Sequence, residues 1–72
     1  MTELRHGAAL TGVVALFDES AGLGTIVTSD GMEYQFHCLE IADGSRAIAV
    51  GLDVSFELLA KLGRYEAANI RS

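Results

Sequence analysis

The chain has 72 residues and a net charge of −5, and half of its residues are hydrophobic. This length allows one small domain, and the apolar content excludes a disordered chain. Cys38 is the only cysteine, which excludes an internal disulfide, and the acidic balance argues against binding of nucleic acid driven by charge alone.

The sequence pattern does not indicate a metal, a membrane span or a secretion signal. His6 and His37 lie far apart, whereas structural zinc needs about four convergent ligands. No segment approaches the roughly 20 apolar residues of a membrane span, and the first residues lack the apolar run of a signal peptide. We therefore expect a cytoplasmic protein without metal, cofactor, membrane contact or small-molecule substrate. Residues 1–8 are predicted to be an N-terminal arm and residues 9–72 the domain.

Five short apolar segments are separated by turn signals, and none shows a helical period. The predicted strands cover residues 12–17, 23–29, 33–37, 53–59 and 64–71. Asp30 and Gly31 form a strong hairpin signal between the second and third strands. Residues 38–52 form a longer connection with one short helical turn near residues 39–41. Short, evenly spaced strands of this kind predict a small all-β barrel or sandwich.

Alternation along the strands separates core candidates from surface candidates. Tyr34 and Phe36 share one face of the third strand, while Gln35 and His37 share the other. We predict that Tyr34, Phe36 and Phe56 lie in the core. Gln35 and His37 then face outward.

The order of short motifs along residues 12–70 resembles the bacterial cold-shock domain. No single motif is diagnostic, but so many in the right order, with nearly the right gaps, are hard to obtain by chance. The motifs are Gly12-Val13-Val14, Phe17-Asp18, Gly22-x-Gly24-x-Ile26, Asp30-Gly31, Phe36-His37, Ile41, Asp43-Gly44, Val50-Gly51, Val54-Ser55-Phe56-Glu57 and Glu66-Ala67-Ala68-Asn69-Ile70. The resemblance implies an all-β, five-stranded antiparallel OB-fold barrel that binds single-stranded RNA or DNA and is not an enzyme.

The resemblance also implies where nucleic acid is bound, namely on the face that carries Gln35 and His37. The contact residues carried over to this chain are Leu16, Phe17, Leu23, Thr25, Gln35, His37 and Arg46. Tyr65 lies beside Arg64 in the one aromatic–basic pair of the chain and is a further candidate platform for a base. An ordinary tyrosine of an edge strand is the alternative interpretation of Tyr65.

Most family contact positions are occupied by unusual residues, and no lysine or arginine lies between His6 and Ser45. Lysines of the family pattern are replaced by Ala15 and Ala21, its tryptophan by Leu16, its phenylalanines by Leu23, Thr25, Gln35 and Cys38, and a loop aromatic by Ser45. Each base stacked on an aromatic side chain contributes about 1–3 kcal/mol. A total loss on the order of 5 kcal/mol weakens binding more than a thousandfold. The sequence therefore predicts weak or altered affinity.

An aliphatic surface is the alternative basis of function. Val13, Leu16, Leu23 and Cys38 are predicted to lie close together and to project outward. Contiguous exposed apolar residues on small domains mark contacts with proteins. A protein-interaction module, or a homodimer formed through Leu16 and Leu23, is therefore the second hypothesis.

Phe17 and His37 also have purely structural interpretations. Phe17 suits core packing at the end of the first strand, and His37 suits an ordinary surface imidazole retained with the fold.

Cys38 follows His37 directly, a neighbour that can activate a thiol. Adjacent residues of a strand point to opposite faces, so we expect that the two side chains do not meet and that no catalytic residue is present.

Overall fold

The computed structural model describes residues 9–72, which form one five-stranded antiparallel sheet in the order β3-β2-β1-β4-β5. The strands are β1 (Leu10–Asp18), β2 (Leu23–Val27), β3 (Glu33–His37), β4 (Asp53–Lys61) and β5 (Arg64–Arg71), with one 3-10 turn at Cys38–Glu40. The end strands β3 and β5 contact each other, and Ile41 forms an isolated parallel bridge with Ile70. This confirms the predicted all-β fold with five antiparallel strands.

The predicted strand limits agree closely with the structure. β3 and β5 have the predicted bounds, whereas β1 begins earlier, β2 ends earlier and β4 continues to Lys61. The predicted N-terminal arm, residues 1–8, lies outside the described residues. Within residues 9–72, no helix is long and apolar enough to cross a membrane.

One apolar cluster forms the core between the curled ends of the sheet. Phe36 and Phe56 are each 1% exposed, and half-buried Tyr34 packs beside Phe56 with ring centroids 5.8 Å apart. The predicted core position of these three aromatics is therefore confirmed, with Tyr34 at its margin. The buried set is Val14, Ile26, Phe36, Ile41, Val54, Phe56, Ala67 and Ile70.

A bulge in β1 determines which side chains face outward. The pairing of β1 with β2 shifts between Val14 and Leu16, so Ala15 and Leu16 are both exposed. An extra residue on one strand reverses the alternation beyond it. Phe17 consequently lies on the inner side, where its ring stacks on Phe36 at 6.0 Å and an interplanar angle of 9°.

Gly24 allows the aromatic part of the core to approach the sheet. A Cβ atom at this position would lie 2.4 Å from Cζ of Phe36 and 2.8 Å from the carbonyl oxygen of Leu16. Neither the buried ring nor the β1 backbone can move away without disturbing the core. A glycine is therefore required here by a close approach rather than by a turn.

We predict that Gly24→Ala lowers the free energy of unfolding by about 1–3 kcal/mol, because the added methyl group overpacks the core. Phe36→Leu alone also destabilises, because it leaves a cavity. The double variant should lose less than the sum of the single losses, by about 1 kcal/mol, because the smaller side chain makes room for the methyl group. Urea unfolding of the four proteins measures this coupling, and strictly additive losses would contradict the proposed contact.

Three aspartates close three successive loops. Asp18 Oδ1 accepts hydrogen bonds from Ser20 Oγ at 2.9 Å and Ser20 N at 3.1 Å. Asp30 accepts from the Thr28 hydroxyl, and Asp43 accepts from Ser45 N at 2.9 Å. These hydrogen bonds favour the ionised carboxylates and lower the pKa of all three aspartates below the ordinary value of 3.8.

These lowered pKa values predict a loss of stability in acid. A group with a lowered pKa in the folded state stabilises the protein above its unfolded pKa, and this contribution disappears as the pH falls through the folded pKa. At pH values below 3.8, the ordinary pKa of an aspartate, the melting temperature of the protein should therefore decrease. Asp18→Asn, which keeps an acceptor oxygen, should flatten this fall, whereas Glu19→Gln should not. Identical acid profiles for the wild type and Asp18→Asn would refute the role of Asp18.

Candidate nucleic-acid interface

The outer face of β1, β2 and β3 brings most of the predicted contact residues together. Leu16 pairs with Thr25, and Thr25 pairs with Gln35, so the three form one row across the strands. Leu23 pairs with His37 and forms the next row along the face. Cross-strand neighbours lie about 4.5–5.5 Å apart at Cβ. Five of the predicted residues therefore form one continuous surface.

That surface is largely aliphatic. Val13, Leu16 and Leu23 are 40%, 59% and 51% exposed, and we call these three residues the aliphatic patch. Val27 pairs with Val13 and extends the apolar surface between β1 and β2. No phenylalanine, tyrosine or tryptophan side chain lies on the outer face of these three strands in the part of the chain that the structure describes. The platform therefore offers shape and apolar contact but not stacking, apart from the imidazole of His37.

Cys38 was predicted to project outward with Val13, Leu16 and Leu23, and the structure places it at the margin of the core. Cys38 is half-buried and packs against the core. Its sulfur lies 2.9 Å from where a Cβ atom of Gly22 would be. The thiol therefore lies beneath the β1–β2 connection, with little surface left for a partner.

His37 holds the end of β3 as well as facing outward. Its Nδ1 accepts a hydrogen bond from Leu39 N at 3.2 Å and so caps the 3-10 turn. A nitrogen that accepts carries no proton, so the neutral ring has its proton on Nε2. Nε2–H is then the donor that remains for a ligand. The structural interpretation of His37 and the binding interpretation are compatible.

The expectation that His37 and Cys38 do not meet is also wrong. Cys38 Sγ lies 3.9 Å from Nδ1 of His37. The rule of opposite faces fails because β3 ends at His37 and the 3-10 turn begins at Cys38. The same Nδ1 already accepts from Leu39 N, so the ring is engaged in a turn.

Phe17 does not belong to the outer face. It is half-buried, stacks on Phe36 and lines a hollow beside Ile48 and Val50 of the β3–β4 loop. Core packing, the structural interpretation of Phe17, therefore agrees with the structure. Any contact of Phe17 with a base would have to approach through this loop.

The β4–β5 hairpin places an aromatic and a basic side chain, Tyr65 and Arg64, beside the outer face. Tyr65 and Arg64 line a hollow of about 300 Å³ together with Thr25, Glu33 and Gln35. Tyr65 is 49% exposed. The predicted substitute platform therefore lies next to two residues of the contact row.

A second hollow at the same hairpin is lined by two basic side chains. It has a volume of about 430 Å³, and its lining includes Leu23, Gln35, His37, Lys61 and Arg64. We call it the hairpin hollow. The sequence analysis left Lys61 out of the candidates and named Arg64 only as the neighbour of Tyr65. The sequence signal that could have revealed them is their position on either side of the Leu62-Gly63 turn, across which the structure pairs them.

Arg46 was the basic residue predicted for the site, and its contact with nucleic acid stays a prediction. It lies in the β3–β4 loop with a positive φ of 62°. In the described part of the chain, it lines neither the hairpin hollow nor the hollow beside Tyr65. Lys61 and Arg64 are the basic side chains that line the hairpin hollow.

Within residues 9–72, no three histidine, cysteine, aspartate or glutamate side chains form a group that could hold a metal ion. The outer face of β1–β3 and the hairpin beside it form one open surface. The class defined by this fold is a small all-β module of five antiparallel strands.

Comparison with protein families identifies that class further. The family model described as 'Cold-shock' DNA-binding domain matches residues 10–72. The chain therefore belongs to the cold-shock DNA-binding domain family, which confirms the resemblance seen in the sequence. The family implies binding of nucleic acid, in general of single strands, and is not a family of enzymes. No curated protein sequence matches the chain closely.

Proposed function

We propose that this domain binds single-stranded RNA or DNA with low affinity through the outer face of β1–β3. The observation that carries the proposal is the continuous surface formed by Leu16, Thr25, Gln35, Leu23 and His37 on a family barrel that binds nucleic acid. The low affinity follows from the side chains on that surface. Aliphatic and polar groups replace the flat rings on which bases stack.

The electrostatic part of the affinity should also be small. Lys61 and Arg64 line the hairpin hollow, and Glu33 and Glu66 line the two hollows at the hairpin. For a single strand, the slope of log K against log salt is about −0.7 per phosphate neutralised. With two bases at the interface, we expect a slope no steeper than about −1.4.

Adding a ring to the platform should increase affinity. Leu23 is exposed, so Leu23→Phe leaves the core intact, and one stacked base adds about 1–3 kcal/mol, roughly 5- to 150-fold in Kd. Fluorescence anisotropy of a labelled pyrimidine-rich strand at low salt measures the change.

Met32→Phe is the matched control for this gain. Met32 is also 51% exposed but lies in the β2–β3 turn, at the opposite end of those strands from Leu23. It should leave Kd unchanged. Equal affinities of Leu23→Phe and Met32→Phe would contradict the assignment of the platform, and no anisotropy change for any variant at high protein concentration would contradict nucleic-acid binding itself.

We also propose a second function for the same face, namely self-association through the aliphatic patch. The supporting observation is the exposure of Val13, Leu16 and Leu23 on adjacent strands. Burial of such side chains against a second copy gains about 25 cal/mol per Å². Because Leu16 and Leu23 belong to both surfaces, the dimer and a bound strand would exclude each other.

The oligomeric state tests this second function. Light scattering should detect a dimer that Leu23→Glu converts to a folded monomer, because a carboxylate cannot be buried in the contact without a partner. Leu62→Glu is the control, since Leu62 is fully exposed at the hairpin turn and does not belong to the patch. A wild-type monomer at all concentrations would eliminate self-association.

A further inference from the structure

Glu66 is the acidic residue that contacts both bases of the hairpin hollow. Its Oε2 lies 2.9 Å from Arg64 Nη2, and its Oε1 lies 3.7 Å from Lys61 Nζ. The Glu66 side chain is 17% exposed, compared with 49% for Lys61 and 64% for Arg64. The carboxylate is thus the most buried of the three charged groups, and both cationic side chains are open to solvent.

The strand pairing explains why one carboxylate reaches both bases. Lys61 and Arg64 are cross-strand partners at the end of the hairpin, and Glu66 lies on the same face of β5 as Arg64. All three line the hairpin hollow together with His37. A phosphate that enters the hollow therefore meets two cations that already share the Glu66 carboxylate, and Glu40 adds a second negative charge to the lining.

We propose that Glu66 sets the affinity of this site for single-stranded nucleic acid by competing with its phosphates for Lys61 and Arg64. The proposal rests on the function proposed above. A bound phosphate must draw the side chains of Lys61 and Arg64 away from Glu66. The phosphate then lies near a carboxylate that has lost its partners and carries the same sign of charge. Both effects oppose binding. The hairpin thus supplies both the basic side chains that can bind a phosphate and the carboxylate that competes with the phosphate for them.

The experiment compares Glu66→Gln with Glu57→Gln on the same labelled single strand. Glu57 pairs with Arg71 at 3.5 Å, and neither residue lines the hairpin hollow. Each substitution removes one negative charge from the protein, but only Glu66→Gln frees the side chains of Lys61 and Arg64 from their ion pairs. Glu66→Gln should lower Kd about tenfold at low salt, whereas Glu57→Gln should change it less than about twofold. The gain should shrink as salt is raised, because salt screens the released charges.

A third variant separates release of the bases from loss of charge. In Glu66→Gln/Lys61→Met/Arg64→Met the gain should disappear, because no base is left to release. Circular dichroism melting shows that each variant is folded. Equal Kd values for Glu66→Gln and Glu57→Gln, or a gain that survives in the triple variant, would overturn the competition. Binding by none of these proteins, Leu23→Phe included, would instead reject nucleic-acid binding itself, so the two failures are distinguishable.

Discussion

The close approach of the Phe36 ring to the backbone of Gly24 is the constraint on which the rest of this barrel depends. It places the large side chain of β3 inside and leaves room for Phe17 to stack on it. Because side chains alternate along a strand, an inward Phe36 requires an outward Gln35 and an outward His37. The contact surface is thus a geometric consequence of how the core is packed, whatever residues occupy that surface.

The charges of the interface come from another part of the chain than its platform. β1, β2 and β3 supply the row of apolar and amide side chains but contain no lysine or arginine. Lys61 and Arg64 reach that surface only because the β4–β5 hairpin lies beside β3. This arrangement separates shape recognition from electrostatic attraction.

Local patterns in the sequence predicted the five strands because apolar alternation and glycine turns are local signals. They gave the bounds of β3 and β5 and the core aromatics. Other features depended on contacts between distant segments or on the exact end of an element. The bulge after Val14 turned Phe17 inward, the end of β3 brought Cys38 to His37, and the approach of the hairpin brought Lys61 and Arg64 to the outer face. No pattern within one strand contains that information.

The same separation explains how the fold can persist while its contact residues differ so much from the family pattern. Leu16 and Leu23 are more than half exposed, and Gln35 is also exposed. Substitutions at such positions usually change stability by less than about 0.5 kcal/mol, whereas changes at buried glycines and aromatics cost several times more. The inner face is therefore held by packing, and the outer face is free to vary with the ligand. In the function proposed above, the low affinity is a consequence of the aliphatic outer face and not of a defective fold.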